Sequence, residues 1–228
     1  GAGSMTMHPH GYLSRVAALC RERGVWLMLD EVLTGFGRTG TTFAYQQEDG
    51  VVPDVVALGK GITGGYLPLA ATVASEELYA AFLGDYEELK TFFHGHSYSG
   101  NQLGCAAARA SLALLREVHT PEHIRARAAL LDRLAQRFWE HANVGDVRCE
   151  GLICAVELVE DFESRRRFPM GRRMGFRVSE RAREHGLLTR CIGDVLVLMP
   201  PYCITEEQLA QAVEALWQAL AAELPEAV

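Results

Sequence analysis

Apolar positions along the chain alternate between two rhythms, and their order predicts a layered α/β protein followed by a smaller unit. Leu13, Val16, Leu19 and Cys20 recur at helical spacing, and Gly24 is a natural stop for that helix. Residues 25–29 form a short continuous apolar run that reads as a buried strand. Residues 54–58 read as a second strand and residues 67–73 as a third. Ser75, with Glu77 and Leu78 behind it, opens a short helix. Residues 101–118 are rich in alanine and leucine and predict a longer helix, and Thr120-Pro121 caps another that runs to about residue 141.

The pattern then shifts. Residues 144–148 and 152–158 read as strands about a turn at Glu150-Gly151. A basic stretch from Arg165 to Arg173 precedes a helix ending near Gly186. Residues 187–190 and 195–199 predict a hairpin around Gly193-Asp194. Pro200-Pro201 breaks the chain, and Thr205 with Gln208 forms a capping box for a last helix bearing Leu209, Val213, Leu216 and Leu220 on one face. No internal repeat or low-complexity tract interrupts this order. The predicted domains are residues 1–118, the latter part of an α/β domain, and residues 119–228, a small α+β domain.

Composition narrows the function classes. With 228 residues and 49% hydrophobic side chains, the chain can bury a core in one or two domains. A net charge of −7 argues against nonspecific nucleic-acid binding, which needs a basic face. No apolar run approaches the roughly 18–20 residues of a membrane-spanning helix. The first ten residues lack the charged start and apolar core of a secretory signal, and fit either a leftover tag or the interior of a longer protein. The six cysteines are scattered, at 20, 105, 149, 154, 191 and 203, without a C-x-x-C pair. They read as reduced thiols of a cytoplasmic protein, and Cys20 and Cys105 as small hydrophobes on helices.

The chemistry gathers at two strand ends. Asp30 and Glu31 end the first strand run, and Lys60 follows the second within Leu58-Gly59-Lys60-Gly61-Ile62-Thr63-Gly64-Gly65. Ligands of open α/β sheets bind outside the carboxyl ends of strands, where a lysine and an aspartate can share one crevice. Pyridoxal phosphate needs that pairing: the lysine bonds its aldehyde as a Schiff base and the aspartate keeps the pyridine nitrogen protonated.

Competing motifs fail on context. Gly35-Phe36-Gly37-Arg38-Thr39-Gly40 has the spacing of a dinucleotide fingerprint. However, two carboxylates stand between it and the strand, and the residues after it make a poor helix start. Gly59-Lys60-Gly61 lacks the Ser or Thr of a P-loop. His94-Gly95-His96 lacks a third ligand, so no metal is assigned to it. The arginines between 165 and 173 read as a solvated surface segment.

Asp30-Glu31-Val32-Leu33-Thr34-Gly35-Phe36-Gly37-Arg38-Thr39-Gly40 resembles the D-E-V-x-T-G-F-G-R-T-G segment of class III (ω-type) aminotransferases. Pro53-Asp54-Val55-Val56-Ala57-Leu58-Gly59-Lys60-Gly61 is similar to the lysine segment of that class. Three further stretches, residues 64–72, 91–107 and 195–205, resemble the members that serve biotin biosynthesis. The likeness runs from about Gly1 to the last helix.

It implies the type I pyridoxal phosphate-dependent transferase fold, here the C-terminal half of the large domain plus the small C-terminal domain, in a homodimer with active sites at the interface. It also implies transamination of 8-amino-7-oxononanoate, with adenosylmethionine as the donor. Carried over position by position, Lys60 would be the catalytic, cofactor-bonding lysine and Asp30 the partner of the pyridine nitrogen. Val32 would pack on a ring face. Ser97, with Tyr98 beside it, would reach the cofactor phosphate of the neighbouring subunit. Arg190 would bind the substrate carboxylate, a task suited to a planar guanidinium. Relatives commonly have proline after that arginine, where this chain has Cys191.

The class's glycine/serine phosphate cradle and ring-stacking aromatic have no counterpart here, so the chain reads as a fragment that does not complete an active site alone. Such a fragment should leave one side of its sheet uncovered. The alternatives are a class III enzyme acting on ornithine, γ-aminobutyrate or a similar amine, and a non-catalytic α/β remnant.

Overall fold

A computed structural model describes residues 3–117 and 121–224. They form two compact units, residues 8–120 and residues 1–7 with 121–228.

In the unit of residues 8–120, helix α1 (Tyr12–Arg23) leads into strand β1 (Met28–Asp30). Strands β2 (Val55–Leu58) and β3 (Ala71–Ala74) complete a three-stranded sheet in the order β1-β2-β3. β1 and β2 run parallel, with Asp30 opposite Ala57, whereas β3 returns antiparallel to β2. Asp54 fixes the start of that register: its carboxylate accepts the Leu27 amide at 2.7 Å and its own amide donates to the Leu27 carbonyl at 2.9 Å. Short helix α2 (Glu76–Ala80) begins at Ser75, whose hydroxyl accepts the Leu78 amide at 3.3 Å. Helix α3 (Gln102–Glu117) packs on the 3-10 turn Lys60–Thr63.

Two small apolar clusters hold this unit. Phe36, Val56, Leu58, Ile62 and Ala108 form one; Ala17, Leu27 and Val51 form the other beneath α1. The first strand differs from expectation. Only residues 28–30 are strand, and Val25, Trp26 and Met28 stay exposed although their run reads as buried. An apolar run signals that a side chain wants cover, not that its own unit supplies it. Val52, in the loop before β2, and Val73, on the edge strand β3, are exposed as well.

In the other unit, helix α4 (Pro121–Ala135) tightens into a 3-10 turn over Gln136–Glu140, where the pattern predicts continuous helix. Thr120, its expected cap, lies outside the described residues. Strands β4 (Val144–Glu150) and β5 (Ile153–Leu158) form a hairpin with Gly151 at a φ of 56° in its turn. Helix α5 (Met174–Glu184), strands β6 (Arg190–Ile192) and β7 (Val195–Leu198), and helix α6 (Glu206–Glu223) follow. The sheet order is β4-β5-β7-β6, antiparallel throughout.

α4 packs on β4 and β5, α5 on β6 and β7, and α6 on α4 and α5. Ile124, Leu131, Phe138, Leu158, Met174, Leu196, Leu209, Leu216 and Leu220 are sealed between these layers. The capping box of α6 forms as its sequence predicts, with Thr205 Oγ1 accepting the Gln208 amide at 3.1 Å and Gln208 Oε1 accepting the Thr205 amide at 3.0 Å. Residues 4 and 5 join this unit because Arg148 donates to the Ser4 and Met5 carbonyls, at 2.8 and 3.3 Å.

Candidate active site

The parallel pairing of β1 and β2 sets the candidate site. Both strands point their carboxyl ends the same way, so the loop after Asp30 and the loop after Leu58 emerge side by side. The first loop is tied down by Glu31, a carboxylate only 3% exposed. Its Oε1 accepts the Tyr45 amide at 3.0 Å, and its other oxygen accepts the Thr34 hydroxyl. Its backbone joins both neighbours: the Glu31 amide donates to the Ala57 carbonyl at 2.9 Å, and its carbonyl accepts the Gly35 amide at 2.9 Å. Motif reading passes over this residue. The available signal was an acid inside an otherwise apolar and glycine-rich stretch, three positions before a threonine.

The two loops then press together at glycines. A Cβ on Gly59 would lie 3.2 Å from Val32 Cγ1, and one on Gly61 would lie 3.2 Å from Phe36 Cβ. A side chain on either flank of Lys60 would therefore require Val32 or Phe36 to shift. Between them Lys60 takes a left-handed backbone, with φ at 39°, a conformation costing roughly 1–2 kcal/mol for a residue with a side chain. Phe36, on the facing loop, is left-handed too, with φ at 62°. Such strain persists where surrounding packing over-determines it, and it concentrates at functional sites.

The Lys60 side chain is exposed and makes no ion pair or hydrogen bond among the described residues. The chain's other lysine, Lys90, is paired with Glu88 at 2.9 Å. Asp30 is exposed; its Oδ1 accepts the Val32 amide at 2.9 Å, which fixes the carboxylate in a turn and leaves Oδ2 open to a donor. Val32 is half-buried, with one side chain face on Gly59.

The remaining candidate residues lie on other elements. Ser97 and Tyr98 are exposed in a turn where Tyr98 donates its amide to His96 Nδ1 at 3.1 Å. No hydrogen bond joins either to Asp30 or Lys60 among the described residues. Arg190 belongs to the other unit, exposed at the start of β6 opposite Val197. Cys191 continues that strand opposite Leu196, its Cβ 3.1 Å from where a Cβ on Gly175 would sit.

An exposed amine on a forced backbone, with a turn-fixed carboxylate at the next strand end, is chemically suited to an aldehyde cofactor with a basic ring nitrogen. The chain belongs to the class III aminotransferase family, whose model matches residues 1–220. It is 49% identical over 220 residues to adenosylmethionine-8-amino-7-oxononanoate aminotransferase of Anoxybacillus flavithermus, covering 96% of this chain and 48% of that protein. The same-named protein of Aquifex aeolicus is 46% identical, with 94% and 47% covered.

Among solved structures, that of adenosylmethionine-8-amino-7-oxononanoate aminotransferase from Methanocaldococcus jannaschii superposes with a TM-score of 0.94 at 42% identity, covering 97% of this chain and 51% of that one. An (S)-enantioselective ω-transaminase from Thermomicrobium roseum superposes at 0.91 with 38% identity, covering 98% and 49%. The chain spans about half the length of the curated relatives it matches. The fold is therefore that of the pyridoxal phosphate-dependent transferases, and the family is an enzyme family that uses this cofactor.

The residues present fit pyridoxal phosphate. Lys60 offers a free amine, Asp30 an open carboxylate oxygen, and the glycine-backed approach of the two loops holds both at one sheet edge. Among the described residues no cluster of His, Cys, Asp or Glu has the makings of a metal site, and no helix is long and apolar enough to cross a membrane.

Proposed function

We propose that the intact protein carrying this chain transfers an amino group to 8-amino-7-oxononanoate, giving 7,8-diaminononanoate, with adenosylmethionine as donor and pyridoxal phosphate bound at Lys60. The observation that carries this reading is the forced left-handed Lys60 between two glycines that the Asp30–Phe36 loop packs against. Relatives named for this reaction reach 49% identity with the chain, against 38% for the ω-transaminase.

Bound pyridoxal phosphate supplies an electron sink that makes a hydrogen on the amine-bearing carbon acidic. Lys60 Nζ would hold the cofactor and, as a free amine, would take a proton from the amine-bearing carbon of the substrate and return it. Asp30 Oδ2 accepts the hydrogen bond from the ring nitrogen and keeps that nitrogen charged. Val32 excludes water from one ring face. Arg190 orients the oxononanoate through its carboxylate, a bidentate match to the guanidinium. Ser97 and Tyr98, far out on an exposed turn, serve the phosphate of the cofactor in a second subunit, which makes the working form a homodimer. The protein acts in the cytoplasm on small molecules.

The test is an assay of the intact protein with 8-amino-7-oxononanoate and adenosylmethionine, beside a Lys60→Ala variant. The expected loss in the variant is on the order of 10³-fold or more, the contribution of a covalent and proton-shuttling lysine. Turnover only with ornithine or γ-aminobutyrate would move the protein to another branch of the class. A Lys60→Ala variant with unchanged turnover would remove the mechanism.

A further inference from the structure

The second unit contains a pair of cysteines that the aminotransferase chemistry does not use. Cys149 on β4 and Cys154 on β5 are directly opposite each other in the antiparallel register, one step in from the turn pair Glu150 and Ile153. Directly opposed residues of an antiparallel ladder point to the same face, and their Cα atoms are about 4.5 or 5.5 Å apart, depending on the ladder position. Both spacings fall within the roughly 4.4–6.8 Å that a disulfide accepts. A turn with only Gly151 and Leu152 at its tip makes Glu150–Ile153 the hydrogen-bonded closing pair. Cys149 and Cys154 are then a non-hydrogen-bonded pair, where side chains approach most closely. Every cysteine is a free thiol in this structure.

The two residues differ in exposure. Cys154 is sealed, with 0% exposure, whereas Cys149 is half-buried. We propose that Cys149 and Cys154 form a reversible redox modification site, closing to a cross-strand disulfide when a peroxide reaches Cys149 and reopening with a thiol reductant.

The chemistry balances with hydrogen peroxide as the oxidant. The Cys149 sulfur attacks one peroxide oxygen, the O–O bond breaks, and Cys149 becomes a sulfenic acid while one water leaves. The Cys154 thiol then attacks the Cys149 sulfur, the S–O bond breaks, and the hydroxyl departs with the Cys154 proton as a second water. The two thiols are oxidised and the peroxide is reduced.

Order of attack follows from environment. The neighbouring Cys149 thiol, followed by burial, pushes the Cys154 thiol well up from its ordinary value, so Cys154 stays protonated and resolves rather than initiates. The other four cysteines have no cysteine opposite them in either sheet. A transient, peroxide-formed bridge is also the kind of disulfide that a reducing compartment allows.

Arg148 and Arg165 bracket the pair, so trypsin releases both cysteines on one peptide, residues 149–165. The intact protein is treated with a small molar excess of hydrogen peroxide, its remaining thiols are alkylated, and that peptide is weighed. The expected peptide is lighter by two hydrogen atoms, carries no alkyl group on either cysteine, and regains two alkylation sites after treatment with dithiothreitol. Cys149→Ser at the half-buried position and Cys154→Ala at the sealed one should each abolish the mass loss, the first leaving Cys154 alkylatable only after unfolding. Two readily alkylated cysteines after peroxide, or a Cys149 that proceeds to sulfinic acid without bridging, would overturn the proposal.

Discussion

The two units of this chain close their apolar surfaces to different degrees. In the unit of residues 121–224, large side chains from every helix and three strands reach full burial, among them Phe138, Leu131, Leu196 and Leu216. In the unit of residues 8–117, the cores are small clusters, and Trp26, Met28, Tyr66, Phe92 and Phe93 remain exposed. The candidate cofactor residues Lys60 and Asp30 lie in the open unit, while Arg190 lies in the closed one. Packing thus dominates the stability of one unit, whereas local hydrogen bonds and glycine contacts shape the loops of the other.

Core truncation should separate the two most strongly. Phe138→Ala is expected to destabilise its unit by about 3–5 kcal/mol, while Leu58→Ala in the thinner core should cost less, nearer about 2 kcal/mol. Denaturant unfolding of each variant measures the difference, and equal losses would erase the contrast. Arg190 is a functional group within the well-packed unit. Arg190→Ala should leave its melting temperature nearly unchanged and raise KM for the carboxylate substrate by about 10- to 100-fold, the loss of one charge-assisted contact. A change in kcat alone would argue that it does not hold the substrate.

In the open unit, Glu31→Ala strands the Tyr45 amide and the Thr34 hydroxyl, at a cost of about 1–3 kcal/mol. Pyridoxal phosphate affinity should fall with it, since the same carboxylate anchors the loop that carries Val32 to Gly59. Undiminished affinity would confine Glu31 to stability.

The smallest effect concerns acid. The Ser14 hydroxyl and amide, then the Gly11 amide, hold the Glu48 carboxyl below its ordinary value. A carboxylate lowered by folding contributes stability that is complete above the ordinary carboxylate range and disappears as the pH falls through the lowered value. The protection factor of the Ser14 amide, taken relative to the intrinsic exchange rate at each pH, should therefore fall on acidification, and Glu48→Gln should flatten that dependence.

Several of these features were legible in the sequence because they depend on neighbours a few residues away. The α6 cap requires only Thr205 and Gln208, the β4–β5 turn only Gly151, and the Lys60 segment could be matched residue by residue. Other features depend on what lies opposite in space. Val25, Trp26 and Met28 are apolar, yet their exposure follows from missing cover that no periodicity reports. The anchoring role of Glu31 arises from Tyr45, fourteen positions on, and the attachment of residues 4 and 5 to Arg148 spans 144 and 143 positions. The end of α4 in a 3-10 turn breaks no sequence rule. Gln136–Glu140 carries no glycine or proline, and the tightening accompanies the burial of Phe138.

Reductive trapping tests the central claim most directly, because this chain has only two lysines, Lys60 and Lys90. The intact protein is incubated with pyridoxal phosphate, reduced with borohydride, digested, and searched for the pyridoxyl mass. The account predicts that label on Lys60, with Lys90 clean in its pairing with Glu88. A protein that binds the cofactor with Lys60 unlabelled would contradict it.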